Sequence, residues 1–255
     1  MNGKVLIKKL EELFPVKIAK KYNDFVGLMV GTLNKEVKKI LRCLDLEDAI
    51  LNGAFKYQPD IIITHHPFIY GKKKQVLKND FRKKELVNQL EANNISIDSL
   101  QTNFDEGNGG MNDALCSALE LTNIAPLSTC PMARGGSLKK ATSLVEFCEF
   151  AKERLKASYG NLIDNGNREI KRVAIIGGGG SRYWKQAQKE GYDIFISGDI
   201  SHHIRREIIL SNYNYLDLPH EIEKIFIPTM KKIIKNIDSK LEIKLIDHEK
   251  EMKPI

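Results

Sequence analysis

Asp60-Ile61-Ile62-Ile63-Thr64-His65-His66-Pro67 decides the fold and points to the chemistry. Three consecutive aliphatic residues, stopped by His-His-Pro, read as a strand apolar on both faces, the pattern of a parallel sheet covered by helices on each side. The neighbouring segments agree. Upstream, VKKILRCLDL (37–46) reads as a strand and EDAILNGAFKYQ (47–58) as a helix; downstream, helical periodicity over Phe81 to Asn93 leads into ISIDSLQTNFD (95–105). The second half repeats the alternation with KRVAIIGGGG (171–180), a helix near Ser181 to Glu190, DIFISGD (193–199), a helix from His202 to Leu210 and YNYLDLPH (213–220). The fold class is α/β.

Laid over itself, the chain matches in one register twice. Glu36-Val37-Lys38-Lys39-Ile40-Leu41 falls on Glu169-Ile170-Lys171-Arg172-Val173-Ala174, and Asp60 to Thr64 falls on Asp193-Ile194-Phe195-Ile196-Ser197, both 133 residues on. A third match, Asn94-Ile95-Ser96-Ile97 on Asn212-Tyr213-Asn214-Tyr215, needs an offset of 118. Any two βαβ units look somewhat alike, but the shared register favours an internal duplication. It predicts two similar interlinked α/β lobes with mainly parallel sheets, residues 1–125 plus 219–255 and residues 126–218. The seam is expected between Ile124 and Ser137, where Pro126, Pro131 and Gly135-Gly136 break the pattern.

The chain has 255 residues, 42% of them apolar and 29% charged, enough for one large or two small globular domains. No apolar run approaches a membrane span, and the opening segment, with Glu11 and Glu12 inside it, lacks the unbroken apolar stretch of a signal peptide. A soluble cytoplasmic protein is the expectation. Cys43, Cys116, Cys130 and Cys148 form no CxxC pair and read as reduced core thiols. The net charge of +7 is spread, with one run at Lys72-Lys73-Lys74; it fits an anionic small substrate, loose nucleic-acid affinity or a codon bias towards lysine.

In an open α/β sheet the carboxyl ends of the strands form the ligand crevice, so His65 and His66 stand where chemistry is done. Adjacent side chains at a strand end diverge, which suits two nearby metals better than one shared ion. Past the next strand, Asp98, Asp105 and Glu106 compete for a role, and Asp105 before Gly107 reads equally as an Asx turn. His220 follows a third strand, with Glu223 three residues on and therefore on the same face of a helical turn, while Glu221 points elsewhere. These make an N/O donor set without thiolate, suited to Zn, Fe, Mn, Ni or Co. A metal pair would lower the pKa of a bound water and polarise the bond under attack, which implies hydrolysis. Gly177 to Gly180 reads as a tight turn more readily than as a phosphate cradle, and no Walker sequence is present. Asp199 and His203, at the matching strand end of the second lobe, are candidates for proton transfer, although a helix N-cap explains Asp199 or Ser201 as well.

With His65-His66-Pro67, Thr102-Asn103-Phe104-Asp105, Ser197-Gly198-Asp199 and the late His220/Glu223 pair in this order, the chain resembles the Nif-three-like family, the GTP cyclohydrolase 1 type 2 homologues. Asp24-Phe25-Val26-Gly27-Leu28 and Gly109-Gly110-Met111-Asn112-Asp113 add to the resemblance. It implies two interlinked α/β domains assembled as a toroidal homohexamer, with two divalent metals facing a central cavity and held by His65, His66, Asp105, His220 and a nearby glutamate. Three positions depart from the family pattern. Gln101 and Phe25 replace its His and Asn, and Lys224 stands where its last glutamate falls, which Glu223 would replace after a one-residue deletion. The expectation is a metal-dependent hydrolase acting on a purine nucleotide; a non-catalytic metal-binding scaffold or metal-delivery protein docking on protein or DNA is the alternative.

Overall fold

The structure is a computed structural model and describes residues 1–166 and 169–246. The strands in chain order are β1 (Gly27–Val30), β2 (Lys39–Cys43), β3 (Ile61–Thr64), β4 (Ser96–Ser99), β5 (Thr122–Pro126), β6 (Arg134–Thr142), β7 (Asn161–Ile163), β8 (Ile170–Ile175), β9 (Ile194–Ser197), β10 (Asn214–Asp217) and β11 (Glu242–Leu245). They form two sheets, β1-β4-β3-β2-β11 and β5-β6-β8-β9-β10-β7.

Of the described residues, the first unit comprises 1–108 and, after the chain returns, 226–246. Its sheet is parallel except at β1, which runs antiparallel to β4. Every residue of β3 is buried, as a central strand covered on both faces requires. Leu41, Ile62 and Ile97 face a core closed by Ile50, Leu51 and Ala54 of helix Asp48–Tyr57 and by Val87 and Leu90 of helix Phe81–Ala92. Helix Phe226–Ile237 buries Phe226, Ile227, Met230 and Ile234, a single stripe at helical spacing, and the Ile227 carbonyl accepts a hydrogen bond from the buried Arg42 of β2.

In the second unit, residues 109–225, only β8, β9 and β10 are parallel; β5, β6 and β7 add antiparallel strands on both sides. The expectation of mainly parallel sheets thus describes the first sheet and the centre of the second. Capped by the reciprocal Ser143/Glu146 box, helix Leu144–Leu155 buries Phe147, Cys148, Ala151 and Leu155. All four cysteines are buried free thiols.

The repeat seen in the sequence is a repeat of register. β2 pairs with β3 as Ile40↔Ile61 and Leu41↔Ile62, and β8 pairs with β9 as Val173↔Ile194 and Ala174↔Phe195, each residue 133 further on. On the next strand Ile61↔Ser96 and Ile62↔Ile97 answer to Ile194↔Asn214 and Phe195↔Tyr215, with the offset of 118 carried by the third strand. Asn94 and Asn212 lead into that strand with the same left-handed φ of 56°.

The lobe boundaries differ from those expected. Residues 109–125 belong to the second unit because Thr122–Pro126 is hydrogen-bonded along β6, and 219–225 belong to it because the turn His220–Ile225 packs on helix Met111–Ala118. The Gly135-Gly136 break lies inside a strand. A Cβ at Gly135 would stand 2.1 Å from the Tyr192 ring, so the glycine marks a close approach within the sheet and not a linker.

Candidate metal centre

At the end of β3 the His65 and His66 amides both donate to the Leu44 carbonyl (3.2 and 3.1 Å), which anchors the turn to the end of the β2 segment. His65 is 1% exposed. Its Nδ1 lies 2.9 Å from the Leu100 carbonyl, and a carbonyl only accepts, so Nδ1 carries a proton. Its Nε2 stands 3.5 Å from Asp105 Oδ1. His66, half-buried, has Nδ1 2.7 Å from Asp45 Oδ2. The two rings lie 4.8 Å apart at 51°. Beside His66 opens a cavity of about 460 Å³, with Asp45, Phe68, Asp80, Arg82 and Lys83 in its walls.

The structure separates the three competing acids. Asp105 sits on the short helix Thr102–Glu106 beside His65. Glu106 is bound to Lys21 Nζ and the Tyr22 hydroxyl, each at 2.5 Å. Asp98 lies within β4, 3% exposed, and its burial raises the carboxyl pKa to about 7. Gln101, the first departure from the family pattern, caps this helix next to Asp24, whose carboxylate accepts from the Thr102 amide (3.2 Å) and hydroxyl (2.8 Å).

In the second unit His220 and Glu223 stand on a 3₁₀ turn, His220–Ile225, in which residues three apart eclipse. His220 Nε2 is 3.1 Å from Glu223 Oε2, and Glu223 is 4% exposed while Glu221 is only half-buried. His220 Nδ1 meets Asp199 Oδ2 at 2.5 Å. The hydrogen bond to Glu223 above all, helped by the charges of Glu223 and Asp199 and opposed by burial, raises the His220 pKa to about 9. The turn Gly177–Gly180 fits beneath this pair: Gly178 has φ +64°, and a Cβ there would fall 2.3 Å from Glu223 Oε1 and 3.0 Å from His220 Cε1.

Asp199, expected as a proton carrier, meets the His220 ring at Nδ1. His203, the other expected carrier, is exposed on helix His202–Leu210, with Nδ1 3.2 Å from the Ser201 hydroxyl. Sequence reasoning missed Asp45 and Gly178. The signal for Asp45 was its place at the end of a strand next to β3; Gly178 had only its membership of a glycine run.

The fold and these strand-end imidazoles, each held through Nδ1, define a duplicated α/β protein with a histidine and carboxylate donor set of the kind that binds metals. The chain belongs to the Duf34/NIF3 (NGG1p interacting factor 3) family, whose model matches residues 1–253. It is 27% identical over 245 residues to a Clostridium perfringens protein called GTP cyclohydrolase 1 type 2 homolog, covering 93% of both chains. A protein of the same name from Lactococcus lactis is 30% identical over 241 residues, 91% of each. Among solved structures, reduced HcgD from Methanocaldococcus jannaschii aligns with TM-score 0.81 and 27% identity over 97% of this chain and 98% of that one. A hypothetical protein of Staphylococcus aureus aligns with TM-score 0.86 and 24% identity over 96% of each, a likeness of fold.

Proposed function

We propose that the chain is a metal-dependent hydrolase of a purine nucleotide, with His65, His66, Asp105, His220 and Glu223 as ligands of two divalent ions. The observation that carries this reading is the state of the imidazoles. Nδ1 of His65, His66 and His220 is held by the Leu100 carbonyl, Asp45 and Asp199, the kind of contact that orients a metal-binding ring. The donor set of imidazole and carboxylate without thiolate fits Zn, Fe, Mn, Co or Ni.

Ions held there would lower the pKa of water towards neutrality and polarise the bond under attack. The chain's own residues do the rest. Asp45, the Leu100 carbonyl and Asp199 fix three rings against rotation, and Gly178 leaves the space in which Glu223 and His220 lie. The cavity beside His66 takes the substrate; Arg82, which pairs with Asp48, and Lys83 are the cations in its walls for the phosphates, among Asp45, Glu47, Asp48 and Asp80. Support for a purine nucleotide comes from the name borne by the relatives. A homohexamer belongs to the same reading, and light scattering of the purified chain tests it.

The test of function is elemental analysis of protein purified without an affinity tag, followed by a hydrolysis screen of GTP and other nucleotides. Two equivalents of metal with metal-dependent turnover are expected; metal-free protein, or turnover indifferent to chelator, overturns the reading.

A further inference from the structure

A second cavity lies in the first unit, with Asp24 in its wall, and the metal reading makes no use of it. It encloses about 310 Å³. Its floor is apolar, from Val26, Met29 and Ile69, and Lys20 and Lys73 stand at its rim. The Phe25 ring on its wall packs edge-on against Tyr70, with ring centroids 5.4 Å apart. Leu28 in the wall is 44% exposed, and Tyr70, outside the lining but packed on Phe25, is 66% exposed, so large apolar and aromatic groups here are left in water, a pattern that marks a binding surface.

The charges in this cavity are unbalanced. Asp24 is its acid, and both Asp24 oxygens are engaged, Oδ1 by the Phe25 amide (2.8 Å) and Oδ2 by Thr102. Lys73 has Glu91 at 3.6 Å, an exposed pair of the sort worth little in water. Two ammonium groups therefore border an apolar, aromatic-walled slot. An apolar slot selects a flat hydrophobic body, and paired lysines select a compact anion attached to it.

We infer that this cavity binds an aromatic ring system bearing a phosphate, the chemistry of a nucleoside monophosphate, with the ring over Ile69 and Met29 and the phosphate between Lys20 and Lys73. Two sources carry that chemistry, a free nucleotide or one nucleotide unit of a single strand. The site needs no metal, so it stands or falls separately from the hydrolase reading.

The experiment uses the full chain stripped with chelator and labelled at methyl groups, titrated with adenosine 5′-monophosphate while the Met29 and Ile69 resonances are followed. Saturable shifts are expected, weakened at least tenfold by Lys20→Glu with Lys73→Glu, two surface changes that leave the core untouched. Inorganic phosphate alone should not move these methyls. A single-stranded pentanucleotide that shifts the same methyls at tenfold lower concentration identifies a strand as the ligand; equal or weaker binding identifies the free nucleotide. If neither probe moves the methyls, or if the double variant binds as well as the parent, the inference is overturned.

Discussion

The ends of β3 and β9 occupy the same place in two copies of one topological plan, and they carry different chemistry. β3 runs into His65-His66, two imidazoles; β9 runs into Gly198-Asp199, a glycine and a carboxylate. The second copy makes up the difference one strand later, where β10 is followed by His220 and Glu223, while β4 is followed by Asp105. What both copies keep is the device behind the imidazole, a carboxylate from a neighbouring strand end on Nδ1: Asp45 for His66 and Asp199 for His220. The scaffold was repeated, the orienting contact was kept, and the imidazole-bearing positions moved.

The largest effect that tests this contrast is loss of metal. Replacing His65 and His66 together with Ala should abolish at least one metal site, whereas replacing His202 and His203, also adjacent histidines after a strand of the other copy, should leave metal content unchanged. Elemental analysis decides; full occupancy in the first variant would remove the metal assignment from the β3 end.

Next in size is a stability effect. Asp98 of β4 and Leu216 of β10 are equivalent positions, 118 residues apart, and both are buried. Asp98 Oδ1 has no hydrogen-bond partner among the described residues. Its carboxyl pKa is raised by burial to about 7, so the folded chain holds this proton more tightly than the unfolded chain does. Stability from this group is therefore present at low pH and is lost as pH rises from about 4 to about 7. Asp98→Asn should raise the unfolding free energy at pH 8 by up to a few kcal/mol and change it little at pH 4. Equal effects at both values, measured by denaturant titration, would show that burial does not shift this group.

The orienting carboxylates give a smaller change. Asp45→Asn and Asp199→Asn each keep the shape and lose the charge, and each should weaken metal binding by about 10- to 100-fold without abolishing it. A loss confined to one of them would mean that the shared device works in one copy alone.

Much of this was legible. Central strands announce themselves because both faces are buried, so Ile61-Ile62-Ile63 and Ile194-Phe195-Ile196 stand out, and helix His202–Leu210 has the bounds its periodicity predicts. Edge strands were not. β11 leaves Glu242, Lys244 and Leu245 exposed, β7 has three residues, and β6 begins with glycines that read as a linker until Tyr192 is seen to lie against Gly135. At the site, the residues proposed as ligands carry their residue type in the sequence. Orienting groups do not, because Asp45 and Asp199 act across 21 residues each, and only the pairing of strands brings them to their histidines.

The smallest expected effect tests the duplication itself. Asp60 Oδ2 accepts from the Lys38 and Lys39 amides, both at 2.8 Å, and Asp193 Oδ2 accepts from the Lys171 and Arg172 amides, at 2.9 and 2.7 Å. In each copy the residue before one parallel strand ties down the start of its neighbour, through amides that begin β2 and β8. Both carboxylates are half-buried, so water replaces much of what is lost on removal, and Asp60→Ala and Asp193→Ala should each cost about 1 to 2 kcal/mol. The two positions lie in different units and share no partner among these contacts, so the double variant should show the sum of the two. Asp60→Asn and Asp193→Asn keep an acceptor oxygen and should recover part of the loss in both. A cost at one position and none at the other, in chemical denaturation at fixed pH, would mean that the common register no longer has a common function in stabilising the two copies.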